Sequence, residues 1–258
     1  MFDLHSHILY GLDDGARTLE EAVEMLRIAA RDGTKAILAT PHSKDVQEAS
    51  AHDLVKERVD ALVRETEKQG IEIRVLLGME NHLTPDLPDL VEQGDGYPIN
   101  GHNYILVELP FTLYPIYADD ALFQLQIRGF TPIIAHPERQ ESIQRDPSIM
   151  QRLVHRGMLG QITSTSILGK FGPAAKESAH TLLKRGLVHV IASDAHQAEG
   201  LRVPGISEAV KYAAKLVGSE RAEAMAVSVP QAILEGQRVE QDSLPRVKAS
   251  RGWRFWGR

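Results

Sequence analysis

Seven short apolar runs rich in β-branched residues recur along this chain, and a longer segment of helical periodicity follows most of them. That alternation leaves few folds open. The runs cover residues 2–8, 35–40, 72–80, 104–109, 131–136, 157–163 and 188–193, each about the length of a strand. Most are apolar throughout rather than alternating, as strands covered on both faces are. Helical periodicity occupies 18–31, 51–69, 118–128, 148–156, 173–185, 206–217 and 219–225. Thr18 can cap the first helix with Glu21 three residues on, and Gly33, Gly70, Gly129 and Gly186 stand where a left-handed residue ends a helix. Pro173 suits a first turn. Successive strand–helix units of this kind build a parallel sheet with helices outside it, and 258 residues match an α/β barrel of about 250. Residues 81–103, rich in Pro, Asp and Gly, break the rhythm and read as an excursion over one end of the sheet. There is no internal repeat and no linker. The expectation is one α/β barrel domain over 1–236 and a tail over 237–258.

Composition narrows the chemistry. The chain has no cysteine, which excludes disulfide scaffolds, thiolate metal sites and every thiol nucleophile. A net charge of −6 with 5% aromatic residues argues against nucleic acid as a partner. The opening Met-Phe-Asp-Leu-His-Ser-His lacks a basic flank and apolar stretch, and no run is long enough to span a bilayer, so a soluble cytoplasmic protein is expected.

In parallel α/β sheets ligands sit at the C-terminal strand ends. Here His5 and His7 end the first run, spaced so that both imidazoles leave the same strand face. His42 follows the second run, Glu80 ends the third, Glu108 the fourth and His136 the fifth, while Asp194 and His196 follow the seventh. Taken singly, each is an ordinary loop or cap residue. Eight of them at one end of six strands form a ring of imidazoles and carboxylates whose burial would be costly without cations. The oxygen and nitrogen donor set favours Mn, Fe, Zn or Mg, and its size suits two or three ions. His52, His82, His102, His155, His180 and His189 fall on helices, in the excursion or at strand starts, where local structural roles suffice.

Asp-Leu-His-Ser-His at 3–7, Asp-Asp-Gly at 13–15, Thr-Pro-His at 40–42, Gly-Met-Glu at 78–80, His-Pro-Glu-Arg at 136–139 and Ser-Asp-Ala-His at 193–196 together resemble the polymerase-and-histidinol-phosphatase superfamily. Within it, the chain is most similar to the manganese-dependent protein-tyrosine phosphatases of bacterial capsule and exopolysaccharide operons, over about residues 1–240. The resemblance implies a distorted (β/α)7 barrel with a trinuclear centre, manganese being the metal first expected. It implies a first ion on His5, His7, Glu80 and Asp194, a second on Glu80, Glu108 and His136, and a third on His42, His196 and Asp14. Asp14 enters through the resemblance alone, since Gly11, Asp13 and Gly15 make its surroundings look like a plain turn. Arg139 and Arg202 also match, and a guanidinium fork suits phosphate oxygens. The chain departs from its relatives at Asn81-His82, where Ile-Arg is common, and at Gln140.

A multinuclear site can neutralise phosphoryl oxygens and acidify a water for in-line attack, replacing the missing thiol. The activity implied is hydrolysis of phosphotyrosine on a protein, a bacterial tyrosine kinase of capsule or exopolysaccharide synthesis, with Arg139 and Arg202 clamping the phosphate. No residue stands out as a general acid, and a phenolate of pKa about 10 leaves with little help. Two alternatives remain at this level: a small-molecule phosphomonoesterase such as histidinol phosphatase, and a metal-stabilised binding module without activity. The last 22 residues carry a net charge of +4 and both tryptophans, Trp253 and Trp256, leaving −10 on the rest. That tail reads equally as a solubilising end and as a peripheral membrane or partner-binding segment.

Overall fold

The computed structural model describes residues 1–239; residues 240–258, with most of the expected tail and both tryptophans, lie outside the described part. Eight strands run β1 Phe2–Ser6, β2 Ala36–Ala39, β3 Arg74–Leu77, β4 Glu80–His82, β5 Tyr104–Glu108, β6 Thr131–Ala135, β7 Leu159–Thr163 and β8 Val190–Ala192. They pair in parallel throughout, as a three-stranded sheet β1-β2-β3 and a five-stranded sheet β4-β5-β6-β7-β8. Two isolated bridges join the sheets, His42 with Glu80 on one side and Ser6 with Ala195 on the other. Asp194 N donates to His5 O at 2.9 Å and His7 N to Ala195 O at 2.8 Å, so β8 returns to β1 and the sheet closes.

The third expected run is therefore two strands, β3 and β4, broken at Gly78 and Met79. The break has a steric reason: a Cβ at Gly78 would lie 2.8 Å from Leu38 Cδ2, so the chain passes β2 too closely for any side chain there. Counted as one staggered position, β3 and β4 leave seven positions around the ring, the distorted (β/α)7 barrel expected from sequence.

The expected helices appear as α1 Leu19–Arg31, α3 His52–Gln69, α5 Ala118–Ile127, α7 Ser148–His155, α9 Pro173–Lys184, α10 Ser207–Val217 and α11 Ser219–Ala224. Thr18 caps α1 by accepting from Glu21 N, and Gly70 closes α3 in the left-handed region at φ 64°. Five further short helices were not legible: α2 Ser43–Glu48, α4 Leu87–Gln93, α6 Glu141–Arg145, α8 Ser164–Ile167 and α12 Ser228–Leu234. The excursion over 81–103 thus contains the end of β4 and all of α4.

Two apolar clusters hold the elements. A larger one joins β5–β8 to α5, α7, α9, α10 and α12 through residues such as Leu106, Ile134, Leu182 and Ile191. A smaller one packs α1 and α3 on β2 and β3 through Met25, Leu26, Ile37 and Leu62. Tyr104 ties down the end of the described chain, its hydroxyl donating to Gln237 O and accepting from Val239 N, both at 2.9 Å.

Candidate metal centre

The strand ends that close the barrel also converge its polar residues. Glu80, the first residue of β4 and fully buried, meets four imidazoles. Its Oε2 lies 3.1 Å from His5 Nε2, 3.3 Å from His7 Nε2 and 3.1 Å from His42 Nδ1, and its Oε1 lies 2.8 Å from His136 Nε2. Asp194 Oδ1 is 3.4 Å from both His5 Nε2 and His7 Nε2 and 3.6 Å from His196 Nδ1. Glu108 Oε1 stands 3.6 Å from His136 Nε2. Asp14, in the loop after β1, places Oδ1 3.2 Å from His196 Nε2 and 3.5 Å from His42 Nε2. Every residue expected to hold metal is brought to one place.

Three sets of donor atoms are close enough to share an ion: His7, Asp14, His42 and His196; His5, His7 and Glu80; and His42, Glu80 and Glu108. Compared with the set implied by resemblance, His7 also faces the Asp14 group and His42 also faces Glu80 and Glu108. Both imidazoles sit between neighbouring positions.

Whether these residues fit metal ions can be judged from their outward bonds. His7 Nδ1 donates to Asp13 Oδ2 at 2.7 Å and His5 Nδ1 to Gln161 Oε1 at 2.9 Å, so each turns Nε2 inward. His196 Nδ1 donates to Asp194 O at 3.0 Å, and its buried Nε2 makes no well-formed hydrogen bond. Glu80 Oε2 is buried in the same condition. Electrostatics points the same way. Burial alone would lower the His5 and His7 pKa values, yet Glu80 and Asp194 raise the first and Asp13 chiefly raises the second. Their Nε2 atoms nevertheless approach to 3.2 Å, which leaves no room for a proton on each. A dication answers both demands, the carboxylates' need for positive charge and the imidazoles' facing lone pairs. At Glu80 burial would raise the pKa, but His5, with His136 and His42, overcomes it and holds the carboxyl well below the carboxylate range. Burial and His7 push His196 down to about 4, while Asp14 and Glu80 raise His42 to about 10 against its burial.

Arg139 and Arg202 reach the cluster from one side. Arg139 Nη1 donates to Asp194 Oδ2 at 2.7 Å, and Arg202 Nη2 donates to both Asp194 oxygens at 2.9 Å. Arg139 is also held between two rings, its Cζ 4.8 Å from the Phe111 centroid and 4.7 Å from that of Phe171. Phe111 stacks on His136 at 5.4 Å and 16°. His136 and Asp194 adopt left-handed φ of 30° and 54°, uncommon for non-glycine residues and found here at two ends of the same site.

Sequence reasoning overlooked Asp13, Gln161, Phe111 and Phe171. Asp13 carried a signal, since an acid six residues beyond a candidate ligand His can bond back to it; Gln161 lies inside an apolar strand and carried none. Of the other histidines, His82 Nδ1 approaches Glu108 Oε2 at 3.4 Å, His180 lies 3.1 Å from Ile167 O, and His189 accepts from Gly160 N.

A barrel closed on itself, with imidazoles, carboxylates and two arginines at its C-terminal mouth, defines a metal-dependent class, and the chain belongs to the family described as capsular polysaccharide synthesis, CpsB/CapC, which matches residues 1–235. Among curated proteins it is 37% identical to the tyrosine-protein phosphatase YwqE of Bacillus subtilis over 220 residues, 85% of this chain and 86% of that one. It is 29% identical to the tyrosine-protein phosphatase CpsB of Streptococcus pneumoniae over 245 residues, 92% of this chain and 99% of that one. One solved structure, from crystallographic work on YwqE of B. subtilis and CpsB of S. pneumoniae as metal-dependent tyrosine phosphatases, superposes with a TM-score of 0.88. It is 34% identical, covering 96% of this chain and 100% of that one. A β-aspartyl dipeptidase from Fervidobacterium islandicum shares the fold at a TM-score of 0.55 and 12% identity, covering 90% of this chain and 72% of that one. Among the described residues, no helix is long and apolar enough to cross a membrane.

Proposed function

We propose that this protein is a metal-dependent protein-tyrosine phosphatase. The observation that carries the reading is Glu80, buried and within 3.3 Å of His5, His7, His42 and His136, beside an Asp194 gripped by two arginines. His5, His7, Asp14, His42, Glu80, Glu108, His136, Asp194 and His196 hold two or three divalent ions, manganese by preference, with Fe, Zn or Mg able to occupy the same donors. When bound, such ions supply positive charge to phosphoryl oxygens and an acidified water for attack on phosphorus.

The chain's own residues do the rest. Asp13 and Gln161 fix the His7 and His5 rings. Arg139 and Arg202, parked on Asp194, present N–H groups to the equatorial phosphoryl oxygens, where negative charge must be stabilised. Arg202 Nε is buried without a hydrogen-bond partner in the described structure, so a donor is in hand. The family's place in capsular polysaccharide synthesis, with its relatives' names, supports an enzyme acting on a phosphotyrosine protein, and we assign it to the cytoplasm. A tyrosine kinase of capsule or exopolysaccharide synthesis is the substrate we assign. The basic tail is the segment we assign to peripheral contact with the membrane beside that kinase.

The test is turnover of a phosphotyrosine peptide by the manganese-loaded protein, alongside a phosphoserine peptide and histidinol phosphate. We expect preference for phosphotyrosine, and loss of activity by at least a hundredfold in folded His5→Ala, His136→Ala and Asp194→Ala variants. Preference for histidinol phosphate would overturn the substrate, and full activity in those variants would overturn the site.

A further inference from the structure

Three openings border the cluster, and they differ in character. One of about 380 Å³ beside Asp14 and His196 is walled by Arg17, Glu21, Gln197 and Glu199, all polar. One of about 300 Å³ lies behind Arg139, between Phe111, Phe171 and Ala174, and reaches no imidazole or carboxylate of the cluster. The third, about 480 Å³, is lined by His42, Glu80 and Glu108 and by Leu109, Pro110 and Phe111, with Lys44, Asp45 and His82 also at its wall. It joins metal-capable atoms directly to an apolar wall.

We propose that this third cavity seats the aromatic ring of the substrate's leaving group, with Phe111 as the residue that selects aryl over alkyl phosphates. The proposal rests on the phosphatase reading and names the specificity device of that same site.

Phe111 is built for the task by its surroundings. Its ring packs on His136 and Arg139, which fixes its position, yet it remains 41% exposed, an open apolar surface at the edge of a charged cluster. A phosphoryl group held at the cluster by Arg139 and Arg202 would leave its ester oxygen facing outward. A phenyl ring on that oxygen can enter the cavity and meet Phe111, Pro110 and Leu109, covering apolar surface on both partners. An alkyl ester of serine is too short and too polar to gain from that wall. The loop that carries Phe111 follows β5 directly, and Glu141 N donates to Phe111 O at 2.7 Å, so its backbone is anchored to α6.

The experiment compares two probes that differ by the ring, inorganic phosphate and phenylphosphonate, bound to manganese-loaded protein and read by calorimetry. The wild type should bind phenylphosphonate at least tenfold more tightly than phosphate. Phe111→Ala and Phe111→Leu should each lose most of that preference, about tenfold for the alanine variant, because phenylphosphonate affinity falls far more than phosphate affinity. Phe171→Leu, which removes the other ring beside Arg139 but does not line the cavity, should keep the preference. Equal weakening of both probes in the Phe111 variants would mean that Phe111 acts only through Arg139 or His136 and would overturn the proposal. No preference in the wild type would do the same. Because neither probe is hydrolysed, these outcomes stand apart from failure of the phosphatase reading, which turnover of the phosphotyrosine peptide decides.

Discussion

His7 is fixed by an acid on one nitrogen and offers the other to the cluster, and the strength of the site depends on that division. Asp13 accepts from His7 Nδ1, from Gly15 N at 2.9 Å and from His42 N at 3.1 Å, so one carboxylate orients one candidate ligand and places the backbone of a second. Gly15 is required beside it: a Cβ there would lie 2.1 Å from His7 O. Replacing Asp13 by Ala frees the His7 ring and leaves its Nδ1 without a partner. We expect manganese affinity to fall about 10- to 100-fold in a folded protein, measured by metal titration. Affinity equal to wild type would deny Asp13 that role. The ligand ring was legible because His, Asp and Glu at strand ends are few and collect at one end of the sheet. Its supports were not: Asp13 sits in a stretch whose composition is that of any turn, and Gln161 is one polar residue in the middle of β7. Arg139 and Arg202 were legible through resemblance, but the rings that hold Arg139 come from two loops whose approach only the closed barrel reveals.

At the scale of elements, strand pairing continues below the site in a polar pair between β7 and β8. His189 N donates to Gly160 O at 2.8 Å and His189 Nδ1 accepts from Gly160 N at 3.1 Å, so the residue before β8 grips β7 with backbone and side chain together. Acceptance at Nδ1 needs a neutral ring, and burial, helped by the nearby Arg221, pushes His189 down to about 4. An unfolded chain takes up that proton near pH 6.5 while the native state refuses it until about 4. The stability due to the neutral ring is thus fully present above about pH 6.5 and is lost as pH falls toward 4, by ~3 kcal/mol. Urea unfolding at pH 7, 5.5 and 4 should show His189→Gln converging on the wild type as pH falls, and parallel curves would reject the assignment. This device lies at the start of a strand that reads in sequence as a plain apolar run. The long strands and helices were legible because their periodicity extends over two or more turns or a whole run. Helices such as α2 and α6, of six and five residues, are held by tertiary contacts rather than by pattern. The split of the third run follows from Gly78 passing Leu38, a contact between strands that no single segment announces.

The whole molecule is a ring made of two hydrogen-bonded sheets, and it is weakest in backbone pairing where they meet. One seam is marked by the bridge of His42 with Glu80, the other by that of Ser6 with Ala195. Both seams carry the cluster: His42 and Glu80 stand at the first, and His5, His7, Asp194 and His196 flank the second. Ions held by these residues therefore fasten the two sheets together as well as serving chemistry. Metal at a hundred times its dissociation constant stabilises a native state by about 2.7 kcal/mol, and 1 kcal/mol moves the melting temperature of a chain this size by roughly 2–4 °C. Removing metal with a chelator should lower Tm by about 5–10 °C, abolish phosphatase activity, and speed amide exchange at Glu80 and Asp194 more than in the apolar centres of β5 and β6. Adding manganese back should reverse all three. A thiol-alkylating reagent should change none of them, because the chain has no cysteine to modify. If chelation removed activity while leaving Tm and seam exchange untouched, the ions would serve chemistry alone, and the closure of the barrel would have to rest on its two bridges and its apolar clusters.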